Sequence, residues 1–339
     1  MRRPTLQTIA DKLGLSKMTV SRALRGEPHV KAEVREQVKQ AAQALGYQPD
    51  PEIGKLMAHM RRQRGSESPQ TLAFVWAERT AAEIKQSAWS MELIRGAHER
   101  ARHLGFMVSE FYLAEKGMTA RRLSGILEAR GIAGFILSPL ITRSRGHVSM
   151  RWEKFSSVVI GLGYARPAQH RVHHHHFLGM MTAMRRLKKL GYRRIGLFAS
   201  TTLDQRMFGA WSASFRTHHP LAVSQVEELL CLKRQPTRAD LLGWIKTARP
   251  DVVIDGGQLA FDWLKGMSLP QDLGYVTMSW QPDKPERAGI DQQTDVLGAA
   301  AVDLLVEQLH HNERGPPQHP KIVMTEGLWR EGTTVRTVR

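Results

Sequence analysis

The chain has 339 residues, 42% of them hydrophobic, a formal net charge of +17 and one cysteine, Cys231; this suits two or three domains with real cores and excludes a disulfide framework or a cysteine-rich metal site. Residues 1–64 carry 13 Lys and Arg against 6 Asp and Glu, the remainder 36 against 26, so the call for a polyanionic partner is strongest at the N-terminus. A membrane loses to nucleic acid as that partner, because the longest apolar run, Gly131–Ile141, is too short to span a bilayer and no apolar segment follows the basic start to make a signal peptide, which fits a reducing cytoplasm.

Taken in chain order, Thr5 is placed to cap a helix from Leu6 to Leu13, with Ile9, Ala10 and Leu13 on one face and Gly14 ending it in the left-handed conformation. Ser16 caps a second helix, Lys17–Leu24, which buries Val20, Ala23 and Leu24. Gly26 and Pro28 break the chain, and a third helix from about Ala32 to Leu45 is stopped by Gly46. Two short helices about a tight glycine turn make a helix-turn-helix. Its second helix would enter the major groove, with Lys17, Met18 and Arg22 at base edges and Thr19, Ser21, Arg25 and His29 suited to phosphates. A three-helix module that binds protein is the alternative.

Asp50 and Pro51 then open a short helix whose Ile53, Leu56, Met57 and Met60 form an apolar stripe that needs a partner, or packs on the core as an ordinary linker helix. Arg61–Ser68 is polar and ends the headpiece. From Thr71 onward short apolar runs (TLAFVWA, FMVSEFYL, GFILSPL, SVVIGLG, RIGLFAS, LLCL, DVVIDGG, GYVTMSW) alternate with helical stretches, among them Trp89–Leu104, Thr119–Ala129, Leu178–Leu190 and Arg238–Ala248. Such alternation implies parallel sheets of βαβ units, and the length fits two of them. His173–His176 raises the question of a metal, but consecutive histidines alternate faces in a strand and seldom converge on one ion. No G-x-S-x-G, Walker, G-x-G-x-x-G or H-E-x-x-H motif is present. The chain is read as no enzyme, with no cofactor and no metal.

The run TLQTIADKLGLSKMTVSRALRGEPHVKAEVREQVKQAAQALGYQPD resembles the DNA-binding headpiece of the LacI/GalR family, through its IA-x-x-x-G-x-S start, T-V-S-R-A-L helix and L-G-Y-x-P end. Lys31 departs from the family's Ser or Thr cap, at a cost in stability alone. The resemblance makes 50–64 a hinge helix that pairs with its twin in a homodimer and drives Leu56 into the minor groove at the operator centre; Ile53-Gly54 stands where the family has Ala-Arg. The expected DNA-binding set is Thr5, Ser16, Lys17, Met18, Thr19, Ser21, Arg22, Arg25, His29, Tyr47, Ile53 and Leu56.

KLGYRRIGLFAS, Gln205–Gly209, LPQDLGYVTMSW and GIDQQTDVLGAAAVDLLVEQL resemble the family's core, which is shaped like a periplasmic sugar-binding protein. The expected architecture is α/β: an all-α helix-turn-helix headpiece (1–49), the hinge (50–64) and an effector-binding core (70–339) of two doubly wound parallel-sheet subdomains. Subdomain one is placed at about 70–161 and 291–314, subdomain two at about 162–290 and 320–339. Ligands of such sheets bind beyond the carboxyl ends of strands, which nominates Trp76, Ser138, Arg206 and Ser279, with Trp89 on the helix after the first strand. Arg206 is the arginine that the resemblance sends into the effector cleft. Gly256-Gly257 and Ser279 replace the family's acidic and amide groups.

These observations predict a sequence-specific, dimeric transcription regulator, a repressor of cytoplasmic, nucleoid-associated location, that binds double-stranded operator DNA and a small effector, a sugar or sugar derivative. Its alternatives are a headpiece fused to a metabolite-processing enzyme and a regulator whose core no longer binds ligand.

Overall fold

The computed structural model describes residues 4–24, 30–47, 69–140, 148–163, 166–257 and 260–338. The chain divides into two compact units, residues 1–69 with 309–313 and residues 70–308 with 314–339.

The first unit holds α1 (Leu6–Leu13), α2 (Lys17–Leu24) and α3 (Ala32–Ala44). Thr5 caps α1 by accepting the Thr8 N–H, and Gly14 closes it with φ +65°. Ser16 Oγ accepts the Thr19 N–H at 3.0 Å and lies 2.8 Å from the Thr19 hydroxyl. Lys31 makes no side-chain cap bond at the start of α3. Ile9, Ala10, Val20, Ala23, Val38, Ala41 and Ala42 are buried together, with Leu6, Leu13, Leu45 and Tyr47 packed around them. A core this small relies on its caps, each of which contributes about 1 kcal/mol. The hinge residues Ile53 and Leu56 lie outside the described residues, as do Arg25 and His29.

The second unit contains two six-stranded sheets. The first is built from β1 (Gln70–Trp76), α4 (Ala88–His103), β2 (Phe106–Tyr112), α5 (Ala120–Ala129), β3 (Gly134–Leu137), β4 (Ser156–Ile160) and β5 (His170–His174). α6 (His176–Lys189) leads into the second sheet, made by β6 (Ile195–Ser200), α7 (Thr201–Arg206), α8 (Ala210–His218), β7 (Leu230–Lys233), α9 (Arg238–Ala248), β8 (Val252–Asp255), β9 (Gly274–Thr277) and β10 (Ala288–Asp291). α10 (Thr294–His311) follows, then β11 (Ile322–Thr325) and β12 (Leu328–Arg330).

The strand orders are β11-β5-β4-β3-β1-β2 and β12-β10-β9-β8-β6-β7. Every pairing is parallel except β10 with β12. The near-continuous burial of β1, β3, β4, β6, β8 and β9 follows from helices covering both faces of a parallel sheet. In both sheets the order reverses next to the first strand, between β1 and β3 and between β6 and β8. That crevice beyond the carboxyl ends is where doubly wound sheets bind ligands.

The expected subdomain limits need correction. β5 and β11, both placed by sequence in subdomain two, pair with each other in the first sheet. The chain therefore crosses at His174–His176, at Asp291–Thr294 and at Thr325–Leu328. The polar letters of HRVHH conceal a strand that is buried at four of its five residues; neutral imidazoles pack in an interior that charged side chains would not enter.

Candidate DNA-binding face and effector cleft

On α2 the apolar stripe of Val20 and Ala23 turns inward and leaves Lys17, Met18 and Arg22 exposed, Met18 by 61%. An exposed thioether this large returns no burial energy to the fold. Beside two cations on one helix it forms a mixed surface that offers hydrogen bonds to guanine edges and apolar contact to thymine methyls. Thr5 and Ser16 serve as cap residues, and Thr19 donates its N–H to Ser16; helix starts of this kind are where phosphates are received. Ser21 is half-buried, and Tyr47 packs against the headpiece core.

In the core, Ser138 follows β3 and its hydroxyl accepts the Ala77 N–H at 3.1 Å, tying the two loops at the switch point of the first sheet. Trp76 ends β1 but is 2% exposed. Its indole N–H donates to Glu110 at 2.8 Å and its ring lies 4.8 Å from that of Phe74. As placed it offers a ligand no free face. Trp89 is half-buried on the first turn of α4, and Ser279, just past β9, donates its N–H to Thr277 Oγ1 at 3.2 Å.

Arg206 ends α7. Burial lowers the proton affinity of its guanidinium, and the Glu78 carboxylate, in the loop after β1, acts in the opposite direction. Glu78 follows β1 of the first sheet and Arg206 ends the helix after β6 of the second, so this attraction acts between the two sheets. Nearby, the His173 and His176 rings lie parallel at 6.2 Å, while His174 meets His176 at 5.2 Å and Trp211 meets it edge-on at 5.7 Å. Burial holds all three imidazoles below the usual histidine range, His174 at about 4. His173 and His175 also disfavour charge on His174, and His174, His173, Arg206 and His175 disfavour it on His176. Among the described residues no group of three or more His, Cys, Asp or Glu is arranged to hold a metal ion.

Residues 5–50 match the profile "Bacterial regulatory proteins, lacI family". That match identifies residues 5–50 as a LacI-type segment. The HTH-type transcriptional regulator AglR of Rhizobium meliloti (strain 1021) is 51% identical over 45 residues, 13% of each chain, so the chain matches only a small part of that LacI-type relative. Among solved structures, a transcriptional regulator CelR–cellobiose complex is similar with a TM-score of 0.59 at 21% identity, covering 98% of this chain and 100% of that one. A lac repressor dimer bound to operator and the anti-inducer ONPF gives 0.57 at 16%, covering 98% and 99%. These likenesses show the periplasmic-binding-protein-like fold of the core.

Against the LacI-family pattern, Gly256 is the informative departure. A Cβ there would lie 2.7 Å from the Trp211 ring and 2.8 Å from Ala199 Cβ, so indole and methyl fill the space that a side chain at this position would need. Sequence reasoning missed Glu78, His176 and Trp211. Glu78 was legible as a charge directly after an apolar strand, in FVWAERT. The histidines were weighed as metal ligands and not as packing groups.

Proposed function

We propose that the protein is a transcription regulator that reads operator DNA with α2 and changes its affinity when a small effector enters the crevice between the two core sheets. The single observation that carries this reading is the exposed Lys17–Met18–Arg22 face on the second helix of a LacI-family headpiece. Two copies would set two such helices in successive major grooves of a near-palindromic site, in line with the dimeric, operator-bound state of the lac repressor neighbour. Repression is the mode supported, because such a dimer covers the site it reads. Thr5, Ser16, Thr19 and Ser21 would orient the headpiece on phosphates, together with Arg25, His29, Tyr47, Ile53 and Leu56.

In the core, Arg206, Ser138, Ser279 and Trp89 remain the effector-facing set and Glu78 joins them, whereas Trp76 supports the site from behind. The cellobiose carried by the CelR neighbour supports a carbohydrate as the class of effector. A cytoplasmic setting follows from DNA as partner; among the described residues no helix is long and apolar enough to cross a membrane.

Selection of bound duplexes from random DNA with the purified full chain should return a near-palindromic sequence. On that sequence Arg22→Ala is expected to cost about 1–3 kcal/mol and relax preference at one base pair per half-site. A Lys17 substitution that weakens all sequences alike and flattens the salt dependence would reassign that residue to phosphate. If no duplex is enriched, the reading is wrong.

A further inference from the structure

Phe208 has a conformation and an environment that the fold itself does not require. Its φ is +54°, in the left-handed region that a bulky side chain rarely adopts, and 63% of its surface is exposed. The position thus carries backbone strain while the residue stays mostly exposed.

The turn around it is fixed without the ring. The N–H groups of Met207 and Gly209 both donate to the Asp204 carbonyl, at 3.0 and 2.9 Å, and that of Phe208 donates to the Gln205 carbonyl at 3.0 Å. The buried Asp204 carboxylate accepts the Ser212 N–H at 3.2 Å and its hydroxyl at 2.7 Å, which locks α8 to the same turn. Met207, 6% exposed, anchors it from within. Glycine at position 208 would satisfy every one of these contacts. Strained residues held by over-determined surroundings concentrate where ligands bind.

The position agrees. Phe208 stands two residues after Arg206, which feels the attraction of Glu78, and three before Trp211, whose ring covers Gly256 just past β8. It therefore sits at the carboxyl edge of the second sheet, beside the group best suited to grip a polar edge.

We propose that Phe208 is the apolar platform of the effector seat, on which the C–H face of a sugar ring stacks while Arg206 binds oxygens at the ring's edge. The inference rests on the reading above that an effector enters this crevice. It adds the contact that selects a ring with one apolar face over an open-chain polyol of equal hydroxyl content. A binding site of this kind pairs an apolar surface with a few fixed polar groups.

The test uses the full chain, Phe208→Gly and Phe208→Tyr, with cellobiose, glucose, ribose, sucrose and sorbitol as probes in thermal-shift and calorimetric titrations. At least one cyclic sugar should raise the melting temperature of the unsubstituted protein, and sorbitol should not. Phe208→Gly should melt higher than the parent without sugar, because strain and an exposed ring are removed. It should bind that sugar about tenfold more weakly and keep its operator affinity in the absence of sugar. Phe208→Tyr should restore sugar binding. Undiminished sugar affinity in Phe208→Gly would overturn the platform while leaving the effector reading intact. A lower melting temperature, or a dimer that falls apart on substitution, would make the ring a packing or subunit contact and also overturn it. If no sugar shifts the unsubstituted protein although operator DNA still binds, the carbohydrate assignment fails and the DNA-binding reading survives.

Discussion

Gly298→Ala is expected to lower the stability of the core by about 3 kcal/mol or more, although the substitution improves the intrinsic helicity of α10 by up to about 1 kcal/mol. A Cβ at position 298 would sit 2.1 Å from the Leu93 carbonyl oxygen and 3.0 Å from the Ala97 nitrogen, both backbone atoms of α4. The contact is reciprocal: a Cβ on Gly96 would lie 2.0 Å from the Asp295 carbonyl oxygen. The helices touch backbone to backbone, so no side chain can rotate away and one helix must move. Leu93, Ala97, Ala101, Leu297, Ala301 and Val302 are all buried and would be disturbed with it. The pairs Arg95–Asp295 at 3.0 Å and Arg100–Asp303 at 2.6 Å also join the two helices. They are exposed and add little that could offset the clash. Urea midpoints of Gly96→Ala, Gly298→Ala and the double variant check this. The double variant should lose less than the sum, because a helix displaced once has already made room for the second methyl. A rise in midpoint for Gly298→Ala would mean that propensity outweighs contact and that the helices are not in touch.

The ends of many helices were written locally. Thr5 and Gly14 bracket α1, and Thr119 and Thr237 cap α5 and α9 through their own hydroxyls, so residue type and spacing suffice to find them. The parallel sheets were legible because strands covered on both faces are apolar at nearly every position. What failed to show in the sequence depends on partners distant along it. β5 was hidden because histidine reads as polar until its neighbours fix its charge. Gly96 and Gly298 look like ordinary helix weaknesses until α4 and α10 meet. The attraction of Glu78 for Arg206 acts between segments of different sheets, and the left-handed turn at Phe208 is imposed by Asp204 and not by the residue itself. The site was therefore legible as a location, the carboxyl ends of strands, and only in part as a set of groups.

The histidine run should make the protein lose stability between about pH 6.5 and pH 4, before exposed carboxylates matter. His174 is 2% exposed and both ring nitrogens are shut off from solvent. Its Nε2 would lie 2.9 Å from a Cβ on Gly179, and its Cε1 2.6 Å from one on Gly327. Two glycines thus make room for one ring where the crossings His174–His176 and Thr325–Leu328 meet, with Ile290 of β10 and the Asp291 carbonyl that opens the third crossing against the same space. The groups that act on its charge are His173 and His175, which oppose protonation, and the Thr325 backbone and Asp291, which favour it; burial outweighs them and brings the ring from 6.5 down to about 4. The native state therefore favours neutral imidazole. Above pH 6.5 neither state is protonated and stability is at its full value. Below it the unfolded chain takes up a proton that the native chain refuses, and stability falls by about 1.4 kcal/mol per pH unit for this group. By pH 4 the loss from His174 alone approaches about 3 kcal/mol. His173, His176 and His219 are displaced in the same direction and steepen the fall. Glu83, Glu227 and Asp240 lie below their usual range, so their contribution disappears only at still lower pH; Glu92, raised by burial and by Asp295, takes up its proton more readily in the native state and offsets part of the fall. Urea midpoints at pH 7, 6 and 5 should decline steadily, and His174→Gln should decline with a shallower slope whatever its stability at pH 7. A flat profile in the parent, or a His174 Cε1–H resonance that titrates near 6.5, would mean that water reaches the ring and that the three crossings are not sealed around it.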